Sequence, residues 1–102
     1  MVSRMPQPVY ALAQLTIHDR ARYQAYVRKF PAVLARFGGR VLAADEHPEV
    51  LEGTWGQEKV ILLAFDDEKA FRAFAESEDY QTISRDRVAA TAGPVLLVHG
   101  IG

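Results

Sequence analysis

The chain has 102 residues, enough for one domain and too few for two. Apolar residues make up 49% and charged residues 25%, a globular composition that excludes an intrinsically disordered chain. Twelve basic and thirteen acidic residues leave a net charge of −1, which provides no electrostatic footprint for nucleic acid or for an anionic membrane surface.

The chain begins with a segment for which no regular structure is predicted. Residues 1–8, MVSRMPQP, contain two prolines and no hydrophobic period, so we expect a flexible N-terminus. Residues 9–102 then form the single predicted domain. Its first element is a strand from Val9 to Ile17, because the run VYALAQLTI is rich in strand-forming residues and short enough for a strand.

An amphipathic helix follows this strand. Asp19 is a good N-cap, and behind it large apolar residues recur at three- and four-residue steps as far as Phe37. Pro31 lies inside that pattern and has no backbone N–H, so we expect a kink or a restart of the helix there. Gly38 and Gly39 end the helix, because glycine adopts the left-handed conformation of a helix C-terminus without strain.

The middle of the chain predicts strands. One is expected near residues 40–44 and a second, after a polar stretch, at residues 49–53; His47 and Pro48 between them break this pair of strands or mark a bulge on an edge. The turn TWGQEK leads into VILLAF at residues 60–65, which is the most apolar segment and predicts a central strand.

Two helices and a last strand complete the chain. Asp66 and Asp67 offer an N-cap for the first of these helices. Ser77 caps a further helix, expected from about residue 79 to about residue 90. The run VLLVH at residues 95–99 predicts the final strand.

This order of elements is β-α-β-β-α-β with an extra helix before the last strand. It predicts an α+β fold of the ferredoxin-like type, with helices on one face of a four-stranded antiparallel sheet. The strands VILLAF and VLLV are apolar at successive positions, although a sheet with one solvated face should alternate apolar and polar residues. We therefore expect a homodimer in which two sheets pack face to face, a dimeric α/β barrel. A monomer whose long connections fold over the sheet is the alternative.

Several short segments resemble one family in their order and spacing. The most distinctive are the turn at residues 51–55, LEGTW, and the segment at residues 77–81, SEDYQ. The others are the helix start with Asp19, Tyr23 and Tyr26, then FGGR at residues 37–40, VILLAF with Asp66 after it, and AFRAF at residues 70–74. Over residues 10–100 the chain resembles the family catalogued as domain of unknown function 1330.

The resemblance implies the dimeric α/β barrel superfamily, in agreement with the expectation from the strands. That superfamily includes small antibiotic-biosynthesis-type monooxygenases, haem-degrading enzymes, muconolactone isomerases and ligand-sensing domains of transcription regulators. The family itself implies no settled activity. The resemblance therefore supports the fold and leaves the function open.

Glu52 is the first candidate for chemistry. It lies three residues before Trp55, at the expected mouth of a strand pair where a barrel cleft opens. A carboxylate beside a tryptophan is partly desolvated, which raises its pKa towards the range of a general base. A structural role, in which Glu52 caps a turn or pairs with an arginine across the dimer, is the alternative.

Arg87 is the second candidate, because it lies seven residues after Tyr80 and shares its helix face. The resemblance favours it over Arg85, since the family often carries a basic residue at this position. Arg87 would neutralise Glu52 or hold an anionic ligand, and Tyr80 would line the pocket. The alternative is an ordinary ion pair at the surface or at an interface, with Tyr80 as a core aromatic.

The three histidines do not predict a metal site. His18 lies at the end of the first strand, where barrel-type sites gather residues, so we take it as a candidate for substrate binding. His47 and His99 lie apart from it, and no His-x-His or His-x-x-x-His spacing occurs. We expect neither a metal nor a cofactor, although a single histidine leaves haem ligation open.

Other classes are excluded by simpler features. The absence of cysteine excludes disulfides, zinc knuckles and thiol catalysis. No apolar run approaches the roughly 18 residues of a membrane span, and the N-terminus lacks the pattern of a signal peptide. We expect a cytoplasmic protein that binds neither membrane nor nucleic acid.

Two hypotheses of different classes follow. In the first, the protein is a cofactor-independent enzyme acting on a small hydrophobic or aromatic anion in a cleft between sheet and helices. Glu52 would abstract a proton and Arg87 would hold the substrate, while Trp55 and Tyr80 would line the pocket. In the second, it is a non-catalytic dimeric ligand-binding or accessory module, in which Glu52 and Arg87 form a structural pair.

Overall fold

A computed structural model gives the fold for residues 7–101; residues 1–6, which carry most of the segment predicted to be flexible, and residue 102 lie outside the described residues. The elements in chain order are β1 (Val9–Ile17), α1 (Arg20–Arg36), β2 (Arg40–Asp45), β3 (Lys59–Phe65), α2 (Glu68–Glu76), α3 (Glu78–Ala90), β4 (Thr91–Ala92) and β5 (Val95–His99). This is the predicted α+β order of ferredoxin-like type. The strands form one antiparallel sheet.

β1 is the centre of the sheet because both of its edges are paired. β3 pairs with it along residues 9–15, and β2 is the outer strand beyond β3. The other edge of β1 pairs with β5 near its start and with β4 at Thr16 and Ile17. Between these two, the backbone N–H of Gln14 donates to the carbonyl of Pro94 (2.9 Å), so β4 and β5 continue one another along the same edge. The sheet is therefore four strands wide, as expected, and only the two-residue β4 was not predicted.

A short polar side chain begins each of the three helices. The side chains of Asp19, Asp67 and Ser77 accept hydrogen bonds from the backbone N–H three residues on, at 3.1, 2.8 and 3.1 Å. The predicted N-caps are confirmed, and of the two aspartates before α2, Asp66 instead forms an ion pair with Arg40 (3.1 Å). None of the helices within residues 7–101 is long and apolar enough to cross a bilayer.

α1 continues through Pro31 as one helix, so of the kink or restart expected there, the restart does not occur. The proline leaves the carbonyl of Val27 without its helical partner. Buried side chains on both sides of the proline, Tyr26 before it and Val33 after it, hold both halves of the helix against one core. Tertiary packing of this kind, rather than each backbone hydrogen bond, provides most of the stability of a helix in a protein.

The strand expected at residues 49–53 does not form, and residues 46–58 are a loop. β2, the strand that this segment was expected to accompany, pairs with β3 instead. Pro48 has no N–H to donate, and Gly53 has a φ of +80°, which is not a strand conformation. The proline before this segment and the glycine at its end therefore both disfavour a strand.

The core lies between the sheet and the helices. Alternate residues of β1 face the helices, and the largest fully buried side chains are Val9 and Leu15 from β1, Tyr23 from α1 and Phe65 from β3. Burying one such side chain contributes about 1.5–3 kcal/mol. We call this side of the sheet the inner face.

The opposite side of the sheet, which we call the open face, is not covered by the helices described here. The register places Leu12 of β1 between Leu62 of β3 and Leu96 of β5, in one row across the sheet. A second row places Tyr10 beside Val98. Leu96 and Val98 are 45% and 43% exposed, so apolar side chains of the open face contact solvent in the single chain.

Gly39, between α1 and β2, lies where no side chain fits. A Cβ at this position would overlap Leu34 and lie 2.8 Å from Phe65 Cε2, whereas a Cβ at Gly56 would meet nothing within 4 Å. We predict that Gly39→Ala lowers the free energy of unfolding by about 1–3 kcal/mol, because overpacking displaces buried side chains. Gly56→Ala is the matched control and should change it little. Urea denaturation measures both, and equal stability of the two variants would contradict this packing.

Candidate functional site

A cavity of about 550 Å³ lies between the inner face of the sheet and the three helices. Small side chains provide the space, because Ala11 and Ala13 of β1, Ala44 of β2 and Ala75 of α2 are part of its lining. Val88 of α3 also lines it and is 63% exposed, so the cavity opens to solvent beside this residue.

The lining is mostly apolar, with a few polar side chains. The polar members are Tyr23, Tyr26, Lys59, Tyr80, Gln81, Ser84 and Arg87, and among residues 7–101 no carboxylate and no histidine contributes to the lining. Six ion pairs form in the described part of the chain, and none of them involves Lys59 or Arg87. The cavity therefore carries two cations that are not paired with an acidic side chain of residues 7–101.

Both cations lie at the same end of the cavity. Lys59 is opposite Leu15 in the register of β1 and β3. Arg87 is in the last turn of α3, and its carbonyl accepts a hydrogen bond from Thr91 Oγ1 (2.7 Å). Thr91 pairs with Ile17. The two cations therefore both lie near the C-terminal end of β1.

The opposite end of the cavity is aromatic. Phe71 and Phe74 of α2 line it and pack on Phe65, with ring centroids 5.5 and 5.3 Å away. Phe65 is opposite Val9, at the N-terminal end of β1. The cavity is therefore polarised along β1, cationic at one end and aromatic at the other.

Tyr26 and Tyr80 meet between the two ends. Their hydroxyl oxygens are 3.3 Å apart, which is a long hydrogen bond, and the ring of Tyr80 also packs on Phe74 at 4.3 Å between centroids. Burial, and then the neighbouring Tyr80, raises the pKa of Tyr26 well above its usual value. Tyr26 therefore keeps its proton and remains a hydrogen-bond donor.

Of the predicted site residues, Tyr80 and Arg87 line this cavity and Glu52 does not. Glu52 lies in the loop of residues 46–58, with an exposed side chain. Among the described residues it forms no ion pair with Arg87. Within one chain the structure therefore brings these two residues together neither as a catalytic set nor as a structural pair.

Trp55 and His18 also lie away from the cavity. Trp55 Nε1 donates to Gln14 Oε1 (2.9 Å) on the open face, and the ring lines a second, shallower depression of about 400 Å³. His18 is exposed, and its backbone N–H donates to the carbonyl of Ala90 (2.9 Å). No group of three His, Asp or Glu side chains within residues 7–101 is arranged to hold a metal ion.

The sequence profile of the family described as Domain of unknown function (DUF1330) matches residues 8–101. The chain belongs to the DUF1330 family. The family assignment confirms the resemblance that the segments around Trp55 and Tyr80 indicate. No curated protein matches the chain.

Solved structures share the fold of this DUF1330 protein at low sequence identity. The RPA0582 protein of Rhodopseudomonas palustris, itself of unknown function, has a TM-score of 0.81 at 18% identity, over 95% of this chain and 83% of its own. SnoaB from Streptomyces nogalater, a cofactor-independent oxygenase, has a TM-score of 0.65 at 14% identity, over 94% of this chain and 95% of its own. A dimeric ferredoxin-like protein of unknown function from Thermobifida fusca has a TM-score of 0.61 at 11% identity, over 97% and 94%. At these identities the likeness shows the fold alone.

Two polar members of the DUF1330 cavity, Tyr26 and Lys59, are not among the site residues predicted from sequence. Tyr26 belongs to the apolar stripe of α1. A buried tyrosine hydroxyl needs a hydrogen-bond partner, and this requirement is the sequence feature that could have identified Tyr26. Lys59 precedes VILLAF and shares the strand parity of Ile61 and Leu63, which face the helices. A lysine at a strand position that faces the helices is the sequence feature that could have identified Lys59.

Glu52 contacts no charged partner in the described chain, so its substitution should be nearly neutral. We predict that Glu52→Gln changes the free energy of unfolding by less than about 0.5 kcal/mol. Glu58→Gln is the contrasting variant, because Glu58 Oε1 accepts a hydrogen bond from the backbone N–H of Ile17 (2.8 Å), and it should cost about 1 kcal/mol. Urea denaturation compares them. An equal loss from both would show that Glu52 has a partner outside the single chain.

Proposed function

We propose that this protein binds a small apolar or aromatic anion in the cavity between sheet and helices, with Arg87 as the charge partner and Tyr80 as a hydrogen-bond donor. The observation that carries the proposal is the charge of the lining, to which the described residues contribute two cations and no carboxylate. The volume of about 550 Å³ lies within the range of roughly 300–1,000 Å³ typical of small-molecule sites. The mostly apolar lining favours an apolar body for the ligand.

A bound anion would compensate the two unpaired cations. Arg87 is partly buried, and a charge held away from water without a partner raises the free energy of the folded chain. A carboxylate offsets this cost through charge-assisted hydrogen bonds, which a guanidinium forms in a bidentate geometry. A neutral ligand of the same shape offers no such compensation, so the site should discriminate by charge.

Two candidate functions share this cavity, a binding module and an enzyme. The fold of SnoaB, a cofactor-independent oxygenase, favours an enzyme as the second candidate. The predicted role of Glu52 as a general base has no support from the cavity, because Glu52 is not part of its lining and no other carboxylate of residues 7–101 is. Ligand binding is therefore the function that the geometry supports best, and the proposed ligand contacts are the same for both candidates.

The binding proposal predicts a charge-dependent affinity. We expect 2-naphthoate to bind and the neutral 2-naphthamide to bind more weakly. Arg87→Gln should weaken 2-naphthoate binding by about tenfold or more, because a charge-assisted hydrogen bond is lost. Isothermal titration calorimetry measures the three affinities.

Arg85→Gln is the matched control, because Arg85 is exposed on the same helix and lies outside the lining. It should leave the affinity for 2-naphthoate unchanged. If 2-naphthoate does not bind, or binds Arg87→Gln and the parent protein equally, the proposal is wrong.

We also propose that the open face is the interface of a homodimer. The support is the apolar row of Leu12, Leu62 and Leu96 and the partial exposure of Leu96 and Val98. Contiguous apolar surface of this kind marks an association site more often than a free surface. The ferredoxin-like structure from Thermobifida fusca is described as dimeric, which supports the same arrangement here.

A charge in the middle of the open face should separate the dimer. We predict that Leu62→Asp gives monomers or aggregates, because a carboxylate buried between two apolar sheets has no partner. Thr82→Asp is the control, since Thr82 is exposed on α3, and it should remain dimeric. Size-exclusion chromatography with light scattering reports the masses. A dimer that Leu62→Asp leaves intact would place the interface elsewhere.

A further inference from the structure

The cationic end of the cavity receives its two charges from different elements. Lys59 Nζ of β3 lies 4.8 Å from the ring centroid of Tyr23, and this cation–π contact holds the ammonium group at the wall of the cavity. Arg87 of α3 lies near enough to Tyr26 for its charge to oppose the larger, burial-driven rise in the pKa of that tyrosine. An acidic head group at this end would have a cation on the strand side and another on the helix side.

One hydroxyl hydrogen of the pair Tyr26 and Tyr80 is not used in the hydrogen bond between them. Only one of the two hydroxyl hydrogens is used in the bond between Tyr26 and Tyr80, and within residues 7–101 neither hydroxyl has another protein partner. Tyr26 is 5% exposed, whereas Tyr80 is only partly buried. Because the hydroxyl of Tyr26 is the more buried of the two, we assign Tyr26 as the donor within the pair, which leaves the hydroxyl hydrogen of Tyr80 to the space of the cavity.

The spare donor and the cationic end lie far apart. The ring of Tyr80 packs on Phe74, which belongs to the aromatic end of the cavity, whereas Lys59 lies opposite Leu15 at the cationic end. Apolar and aromatic side chains, among them Phe30 and Ile61, also line the cavity. A ligand that satisfies both polar places must be elongated, with an apolar body and acceptor oxygens at both ends.

We infer that the ligand is an elongated aromatic acid whose carboxylate lies at the Lys59–Arg87 end. At its other end it carries a second oxygen, separate from the carboxylate, which accepts a hydrogen bond from Tyr80. The inference rests on the proposed function and names the class of ligand that this site takes. The second oxygen is a hydroxyl or a carbonyl, because both offer a lone pair to the tyrosine. Tyr26 is a positioning residue, since it acts on the ligand through Tyr80.

A pair of matched acids tests the second oxygen. The probes are 2-naphthoate and 6-hydroxy-2-naphthoate, which differ only in a hydroxyl at the end of the ring system remote from the carboxylate. Calorimetry should show that the protein prefers the hydroxy acid by about three- to tenfold, the effect of one hydrogen bond. Tyr80→Phe should abolish this preference, because a phenyl ring cannot donate a hydrogen bond to the second oxygen, and its far-UV circular dichroism should match that of the parent protein. Tyr26→Phe should reduce the preference by less.

Lysine variants test the position of the carboxylate. Lys59→Met should weaken the binding of both acids by the same factor, about five- to tenfold, because both carry the same head group. Lys69→Met is the control, since Lys69 is exposed on α2 and outside the lining, and it should change neither affinity.

The outcomes separate this inference from the proposed function. Equal affinities of the two acids, a preference that survives Tyr80→Phe, or no effect of Lys59→Met would overturn the inference. Binding of 2-naphthoate that still depends on Arg87 would then leave the proposed function intact. If 2-naphthoate does not bind at all, the proposed function itself fails.

Discussion

The packing of helices on only one face of β1 is the constraint on which the rest of the structure depends. Both edges of this strand are paired, so its side chains have only two directions available. Towards the helices, Val9 and Leu15 are fully buried near its two ends, and Ala11 and Ala13 lie between them. Large residues at the ends and small ones in the middle allow the helices to be anchored and still leave a cavity.

The same strand connects the cavity with the open face. Alternate residues of β1 face the cavity, and those between them face the open face. A shift of one residue in the pairing of β1 and β3 would therefore exchange the side chains on the two faces. Leu12 lies between Ala11 and Ala13, with its side chain on the opposite side of the sheet. The proposed interface and the proposed ligand site are therefore separated by the thickness of one sheet.

Most of the fold can be predicted from the sequence because its signals are local. The strand at residues 9–17, the N-caps Asp19 and Ser77 and the apolar segment VILLAF each have a cause within a few residues. The errors arise where distant parts of the chain decide. The segment 49–53 does not pair with β2, whose partner is the more distant β3, and α1 passes through Pro31 because both of its halves pack on the same core.

In the candidate site, too, some features follow from local sequence and others depend on distant parts of the chain. Tyr80 and Arg87 share a face of one helix, so their common placement follows from spacing alone. Lys59 and Tyr26 reach the site because β3 and α1 pack against the same cavity as α3. The spacing of residues within a single element does not reveal how different elements pack together. Glu52 was proposed from its neighbours in sequence, and the loop that carries it leads away from the cavity.

The alanines at the middle of the cavity have a consequence for the evolution of this fold. Strand pairing uses main-chain atoms, so the exchange of Ala11, Ala13 or Ala44 for a larger side chain would shorten or narrow the cavity without changing the hydrogen-bond ladder. Within one architecture, the size of the cavity is thus set by a few side-chain volumes. Proteins that share this backbone are free to diverge in ligand while their topology stays the same.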